Sequence, residues 1–150
     1  KYATLLANII YVILLMAIIY FQFIRVGQFT PMDKMMTVLF SCWRLEKPKL
    51  VISVTGGALN FTMKPKLKDV FRKGLVKAAL STDAWISTGG TNAGVMRHVG
   101  EAIQNYSLNP NKKIVVLGIA NWCTITDNHL LIKKDVKNNK TKVESFVIDS

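Results

Sequence analysis

The sequence predicts an α/β fold with a mostly parallel sheet, and three observations carry that reading. Short apolar runs that suit buried strands, over residues 50–54, 84–88 and 113–120, alternate with stretches of helical periodicity. Two of those runs stop on the same tripeptide, Thr55-Gly56-Gly57 and Thr88-Gly89-Gly90. A polar, Lys/Asn-rich stretch then precedes a last apolar run at 143–148. Alternating helices and buried strands imply right-handed crossovers and a Rossmann-like sheet, which places the strand ends at Thr55, Thr88 and Ala120 on one rim.

The elements follow in order. From Tyr2 to Ile24 no residue is charged, and Ile, Leu, Val, Met, Ala, Tyr and Phe dominate. An apolar run longer than about 18 residues predicts a hydrophobic helix over 2–24, long enough to span a membrane. Its narrow repertoire equally fits translated noncoding, AT-rich sequence, and both readings stay open. If the run spans, the Lys and Arg excess downstream of Arg25 places the rest in the cytosol.

The globular portion is expected over 30–150, as the N-terminal part of a domain whose sheet is incomplete at the C-terminus. Thr30 is the expected cap of a first helix, with Pro31 at its first position and Asp33 near its positive end. Met32, Met35, Met36, Leu39, Phe40 and Trp43 recur at helical spacing and read as core packing. The strand at 50–54 is nearly continuous in apolar residues, which predicts a central strand covered on both faces.

Pro65 opens a second helix. Its expected buried face carries Leu67, Val70, Phe71, Gly74, Leu75, Ala78 and Ala79, with Lys64, Lys66, Lys68, Arg72, Lys73 and Lys77 on the outer side. A third helix starts at Gly94 and buries Val95, Val99, Ala102, Ile103 and Tyr106. Cys42 and Cys123 lack any metal spacing and read as reduced core residues.

Charge bounds the partners. Twenty basic residues against nine acidic ones leave +11, which suits anionic ligands. The basic residues are dispersed and lack interleaved aromatics, so nucleic acid is not an expected partner.

The rim is the candidate site. Thr55-Gly56-Gly57 and Thr88-Gly89-Gly90 let backbone approach a ligand closely, each threonine hydroxyl can donate to a phosphate or ribose oxygen, and Thr91 joins them at the expected site. Gly94 and Met96 open a helix whose first amides carry the positive end of the dipole. Asn60 and Met96 are placed to hydrogen-bond and pack against a base. Neither turn fits GxGxxG or the Walker A pattern, so turns that merely need glycine remain the competing reading. No strand-end carboxylate pair, Ser/His/Asp set or activated cysteine points to catalysis. Arg97 and His98 read as solvated helix surface, and Glu101 as a surface acid.

From about Thr30 to Ile125 the chain resembles the cytosolic N-terminal homology region of melastatin-type transient receptor potential (TRPM) cation channels. The resemblance rests on Pro48-Lys49-Leu50-Val51-Ile52-Ser53-Val54-Thr55-Gly56-Gly57-Ala58, Asn60-Phe61 and Met63-Lys64-Pro65-Lys66-Leu67. It continues through 71–79, Ala84-Trp85-Ile86, Thr88-Gly89-Gly90, Gly94-Val95-Met96-Arg97-His98-Val99-Gly100-Glu101-Ala102 and Gly118-Ile119-Ala120. Asp83 departs from the family pattern, which has Gly before Ala-Trp-Ile.

The resemblance implies a SLOG-type, Rossmann-like domain of a homotetrameric, calcium-permeable plasma-membrane channel. It implies ADP-ribose or a related nucleotide as regulatory ligand, no cofactor and no enzymatic activity. It puts Thr55, Asn60, Gly89, Gly90 and Met96 at the ligand. Two alternatives remain. SLOG folds also resemble cytokinin-activating phosphoribohydrolases, whose Gly-Gly-x-x-x-Gly-Leu-Met stretch is similar to residues 89–96, although their Pro-Gly-Gly-x-Gly-Thr loop has no match here. The other is a membrane-tethered basic interaction domain.

Overall fold

A computed structural model of the chain describes residues 11–16, 21–106, 114–129 and 144–147. Strands β1 (Tyr11–Met16) and β2 (Phe21–Val26) lead into helix α1 (Met32–Thr37), which continues as a π-helical turn over Val38–Cys42. Then follow β3 (Val51–Val54), α2 (Pro65–Thr82), β4 (Trp85–Thr88), α3 (Gly94–Tyr106), β5 (Val116–Asn121), a short 3-10 turn at Trp122–Thr124 and β6 (Glu144–Val147).

The strands form one sheet in the order β3-β4-β5-β1-β2-β6. β3, β4 and β5 are a parallel block, and β2 pairs parallel with β6. β1 runs antiparallel to both neighbours and joins the two parallel parts. The fold is α/β, with the expected alternation from β3 to β5.

Where the sequence reading puts a hydrophobic helix over 2–24, the described residues of that run are strands. The rest of the run lies outside the described residues. The physical reason is composition: Tyr11, Val12 and Ile13, then Phe21, Phe23, Ile24 and Val26, are β-branched and aromatic residues that suit a pleated surface. A continuous apolar run does not separate a buried strand from a helix by periodicity. Phe23, Ile24 and Val26 are buried, and Ile24 and Val26 belong to a core cluster with Val38, Leu39, Trp43, Trp85 and Leu117. The folded portion therefore begins before residue 30. Among the described residues no helix is long and apolar enough to cross a membrane.

A second core cluster lies between the parallel block and its helices: Val76 and Ala79 of α2, Ile86 of β4, Val99, Ala102 and Ile103 of α3, and Ile114 and Val116 at β5. Ile86, Val99 and Val116 are fully enclosed. Burying such a side chain contributes about 1.5–3 kcal/mol, so this cluster fixes the crossover helices on the sheet.

Four local expectations change. β3 is an edge strand rather than a central one, and Val51 is 53% exposed. Thr30 does not cap α1, which has Pro31 at its N-cap. Instead the Thr30 hydroxyl accepts the Gly27 N–H at 2.9 Å and closes the turn after β2. In the methionine stripe Leu39 and Trp43 are buried, but Met32 and Met36 are exposed. Cys42 and Cys123 are free, as expected of thiols without partners, yet both lie exposed rather than in the core.

The second helix is rotated from its expected setting. Leu67, Val70, Gly74 and Ala78 are exposed, whereas Phe71, Leu75 and Ala79 turn inward as expected and are joined there by Lys68, Arg72 and Val76. At its end Asp83 adopts a left-handed conformation, with φ 50° and its N–H bonded to the Ala79 carbonyl. That is the position at which the family resemblance leads one to expect glycine.

Candidate functional site

Register builds the rim. Val54, Thr88 and Gly118 lie in one row across β3, β4 and β5, so both Thr-Gly-Gly turns leave the sheet at the same height and the same end. β5 runs on past that row to Asn121, whose Oδ1 accepts the Cys123 N–H at 2.9 Å and starts the 3-10 turn. Arg25, near the end of β2, stacks its guanidinium on the Trp122 ring at 5.0 Å. This cation–π pair links the end of β2 to the turn after β5, and no local motif announces it because its members lie far apart in sequence.

The first turn closes onto the start of α3. The Asn60 side-chain oxygen accepts the Gly94 N–H at 3.1 Å, satisfying one of the orphan amides that a helix start leaves. A Cβ on Gly94 would sit 2.0 Å from the Gly57 carbonyl oxygen, and one on Gly56 would sit 2.9 Å from Val95 Cγ1. Gly94 also has φ +52°, in the region that favours glycine. Thr55, Gly56, Gly57 and Asn60 thus form an exposed loop clasping a helix N-terminus.

The second turn closes onto the sheet. Gly90 has φ +68°, and a Cβ there would meet the Gly118 backbone at 2.9 Å. The Thr88 hydroxyl is buried and accepts the Gly90 N–H at 3.1 Å. Thr55 is the exposed threonine of the pair. Met96 lies across Gly89, where a Cβ would fall 2.5 Å from its sulfur, and the Thr91 hydroxyl donates to that sulfur at 3.4 Å.

All nine residues expected at the site therefore gather where the two turns meet α3. Their roles differ from the expectation: the Gly94 N–H is spent on Asn60 Oδ1, and Met96 lies across Gly89. At Gly56, Gly89, Gly90 and Gly94 the space a side chain would fill is taken by neighbouring protein atoms. Glycine there lets loop, helix and sheet approach one another, while Thr55 and the loop that follows it are exposed.

Behind the rim lies a charged cluster that the sequence reading misplaced. Glu101 is not a plain surface acid. Its Oε2 accepts from Lys68 Nζ at 2.9 Å and from the Arg72 guanidinium, and its Oε1 accepts from Arg97 Nε at 3.2 Å. His98 is not on the surface either. It is 6% exposed, packs against the Phe61 ring with centroids 5.1 Å apart, and holds Nδ1 3.7 Å from Glu101 Oε2. The Lys68 ammonium is pushed below its ordinary value by desolvation and then by the charges of Arg72 and Arg97.

The available signal was the spacing of Lys68, Arg72, Leu75, Val76 and Ala79, which is as helical as the Leu67-Val70-Gly74-Ala78 alternative. Aliphatic stems let lysine and arginine line a buried face while their heads find a carboxylate. Among the described residues no group of three or more His, Cys, Asp or Glu side chains gathers as a metal site.

Comparison with known proteins decides the family. The family described as SLOG in TRPM matches residues 21–148, from β2 through β6. The chain belongs to the SLOG domain family of TRPM channels. It is 46% identical over 115 residues to transient receptor potential cation channel subfamily M member 1 of Mus musculus, covering 77% of this chain and 7% of that protein. It is 46% identical over 120 residues to subfamily M member-like 2 of Nematostella vectensis, covering 79% of this chain and 8% of that one. Against member 2 of Mus musculus the identity is 46% over 114 residues, covering 74% and 8%. This SLOG chain thus spans less than a tenth of the length of the curated relatives it matches. The family match includes β2, in agreement with the burial of Phe23, Ile24 and Val26 in the core.

Proposed function

We propose that this SLOG chain is part of a cytosolic nucleotide-sensing domain of a calcium-permeable plasma-membrane cation channel. ADP-ribose or a related nucleotide is the ligand, and subunits assemble as a homotetramer whose gating the ligand biases. The observation that carries the reading is the joint rim: two Thr-Gly-Gly turns level in the sheet, clasped to the N-terminus of α3. Open α/β sheets take ligands at the carboxyl ends of their strands, and the positive end of a helix dipole favours phosphate. Thr55 donates to the ligand through its exposed hydroxyl, the glycine turns supply backbone amides, and Met96 offers an apolar side to a base. Asn60 holds the loop through Oδ1, and the cap does not require its amide NH2. Channel names among the relatives favour sensing over hydrolysis. A ligand biases gating only through a difference in affinity between closed and open states.

The test is a calorimetric titration of the chain with ADP-ribose, alongside a Thr55→Val variant and an assay for hydrolysis of nucleoside monophosphates. Saturable binding without turnover, lost in Thr55→Val, supports the sensor. Turnover of a nucleoside monophosphate overturns it in favour of the phosphoribohydrolase reading. Absence of binding leaves assembly as the domain's contribution.

A further inference from the structure

The rim does not account for the charges behind it. Lys68 and Arg72 of α2 and Arg97 of α3 converge on a single carboxylate, Glu101. Three cations on one anion leave two positive charges uncompensated within the cluster. Lys68 Nζ spends one of its three donors on Glu101, and Arg97 spends one of its five through Nε. Two inner groups also lack a hydrogen bond: Arg72 Nε is buried without one, and buried His98 Nδ1 stands 3.7 Å from Glu101 Oε2, beyond hydrogen-bond reach. Buried polar groups of this kind ordinarily have partners, so two of them beside a surplus of cations call for a ligand.

The cluster is graded from closed to open. His98 lies inside under the Phe61 ring, and the Arg72 side chain is 16% exposed. Lys68 at 32% and Arg97 at 55% stand at the solvent side. An anion entering there meets the spare donors of both before it meets Glu101. Arginine and lysine together suit phosphate, one as a planar fork and the other as a point charge.

We infer that Lys68 and Arg97, backed by Arg72 and His98, form an anion site between α2 and α3 for a multiply charged phosphate group. This inference stands apart from the nucleotide reading of the rim. The phosphate belongs either to the diphosphate of a nucleotide or to a free phosphate ion, and the arms of the test separate these sources.

The test titrates the chain with inorganic pyrophosphate, by calorimetry and by NMR of the imidazoles. The chain holds only two histidines, His98 and His129, so their signals are readily assigned. The expected result is saturable binding that moves the His98 resonances, leaves His129 in place and weakens as salt rises. A Lys68→Gln/Arg97→Gln double variant binds at least tenfold more weakly, whereas Thr55→Val binds as the parent does. Arg97→Gln alone, a change at an exposed residue, loses about threefold and keeps the test valid if the double variant folds poorly.

Titration with ADP-ribose then names the source. Tenfold weakening of both ligands in the double variant assigns the site to the nucleotide diphosphate, and weakening of pyrophosphate alone assigns it to free phosphate. Pyrophosphate binding with no response to ADP-ribose sinks the rim reading and leaves this one standing. No pyrophosphate binding, binding unchanged in the double variant, or binding lost in Thr55→Val overturns the site.

Discussion

The Asn60 side-chain oxygen accepts the Gly94 amide at 3.1 Å, so a residue of the loop after β3 caps the helix that follows β4. Capping by a side-chain oxygen is worth about 0.5–2 kcal/mol when replaced by alanine. Asn60→Ala is expected to lower unfolding free energy by about 1 kcal/mol, and Asn60→Asp, which keeps an acceptor oxygen and adds negative charge near the helix start, to retain most of it. Chemical denaturation of the three proteins checks this. No loss in Asn60→Ala would show that the contact is incidental, and equal losses in both variants that the acceptor oxygen is not what stabilises the helix start.

The glycines separate by what a methyl group would meet. Gly94→Ala places Cβ 2.0 Å from a backbone oxygen at φ +52°, and Gly90→Ala places it 2.9 Å from the Gly118 backbone at φ +68°. Each is expected to cost about 2–3 kcal/mol or more, from strained backbone together with overpacking. Gly89→Ala meets only the flexible thioether of Met96, which can swing aside, so its cost falls below about 1.5 kcal/mol. Gly74 lies in the middle of α2 with nothing within 4 Å of its Cβ position. Alanine there gains about 0.5–1 kcal/mol from helix propensity. The predicted order of thermal midpoints is Gly74→Ala above the parent, then Gly89→Ala, with Gly90→Ala and Gly94→Ala lowest. A Gly94→Ala protein as stable as the parent would contradict the close approach of the two turns.

The same residues show what was legible in the chain. The α/β alternation, the strands ending at Thr55 and Thr88, and the gathering of nine site residues follow from apolar runs punctuated by Thr-Gly-Gly, because strand ends and glycine turns are local signals. The two strands near the N-terminus were not legible. Val, Ile, Phe and Tyr in an unbroken run satisfy a membrane helix and a buried strand equally, and only pairing with β5, which lies some hundred residues away, decides between them. Nor was the Glu101 cluster legible. Two helical stripes on α2 compete, and the one bearing Lys68 and Arg72 faces α3 because a carboxylate waits there.

That cluster carries the third prediction. Glu101 is 25% exposed and Arg72 16%, so removing the carboxylate strands cations that water reaches poorly. Glu101→Gln is expected to cost about 2–3 kcal/mol, toward the lower end for a buried partner left unpaired. Arg97→Gln removes an exposed, i,i+4 pair and is expected to cost under about 1 kcal/mol. Salt adds a second reading: at 1 M the Debye length falls to about 3 Å, so repulsion among Lys68, Arg72 and Arg97 in Glu101→Gln is screened and its deficit shrinks. Urea denaturation at low and high salt measures both. A deficit that is as small as that of Arg97→Gln would place Glu101 among ordinary surface acids.

Asp83 supplies the last prediction, since its backbone has the left-handed φ of 50° at the end of α2. For residues other than glycine this conformation costs roughly 1–2 kcal/mol, less for aspartate, whose short polar side chain tolerates it. Glycine removes that strain but loses more entropy on folding, an offset of about 0.4–1 kcal/mol. The Lys49 Nζ to Asp83 contact at 3.1 Å is lost as well, yet both side chains are mostly exposed and the pair contributes little. Asp83→Gly is therefore expected to raise stability by a net amount below about 1 kcal/mol, and Asp83→Asn to stay within about 0.5 kcal/mol of the parent. Thermal unfolding of the parent, both variants and Lys49→Gln separates strain from charge. If Asp83→Gly is destabilised while Lys49→Gln matches it, the ion pair rather than the backbone governs this corner, and the strain argument fails.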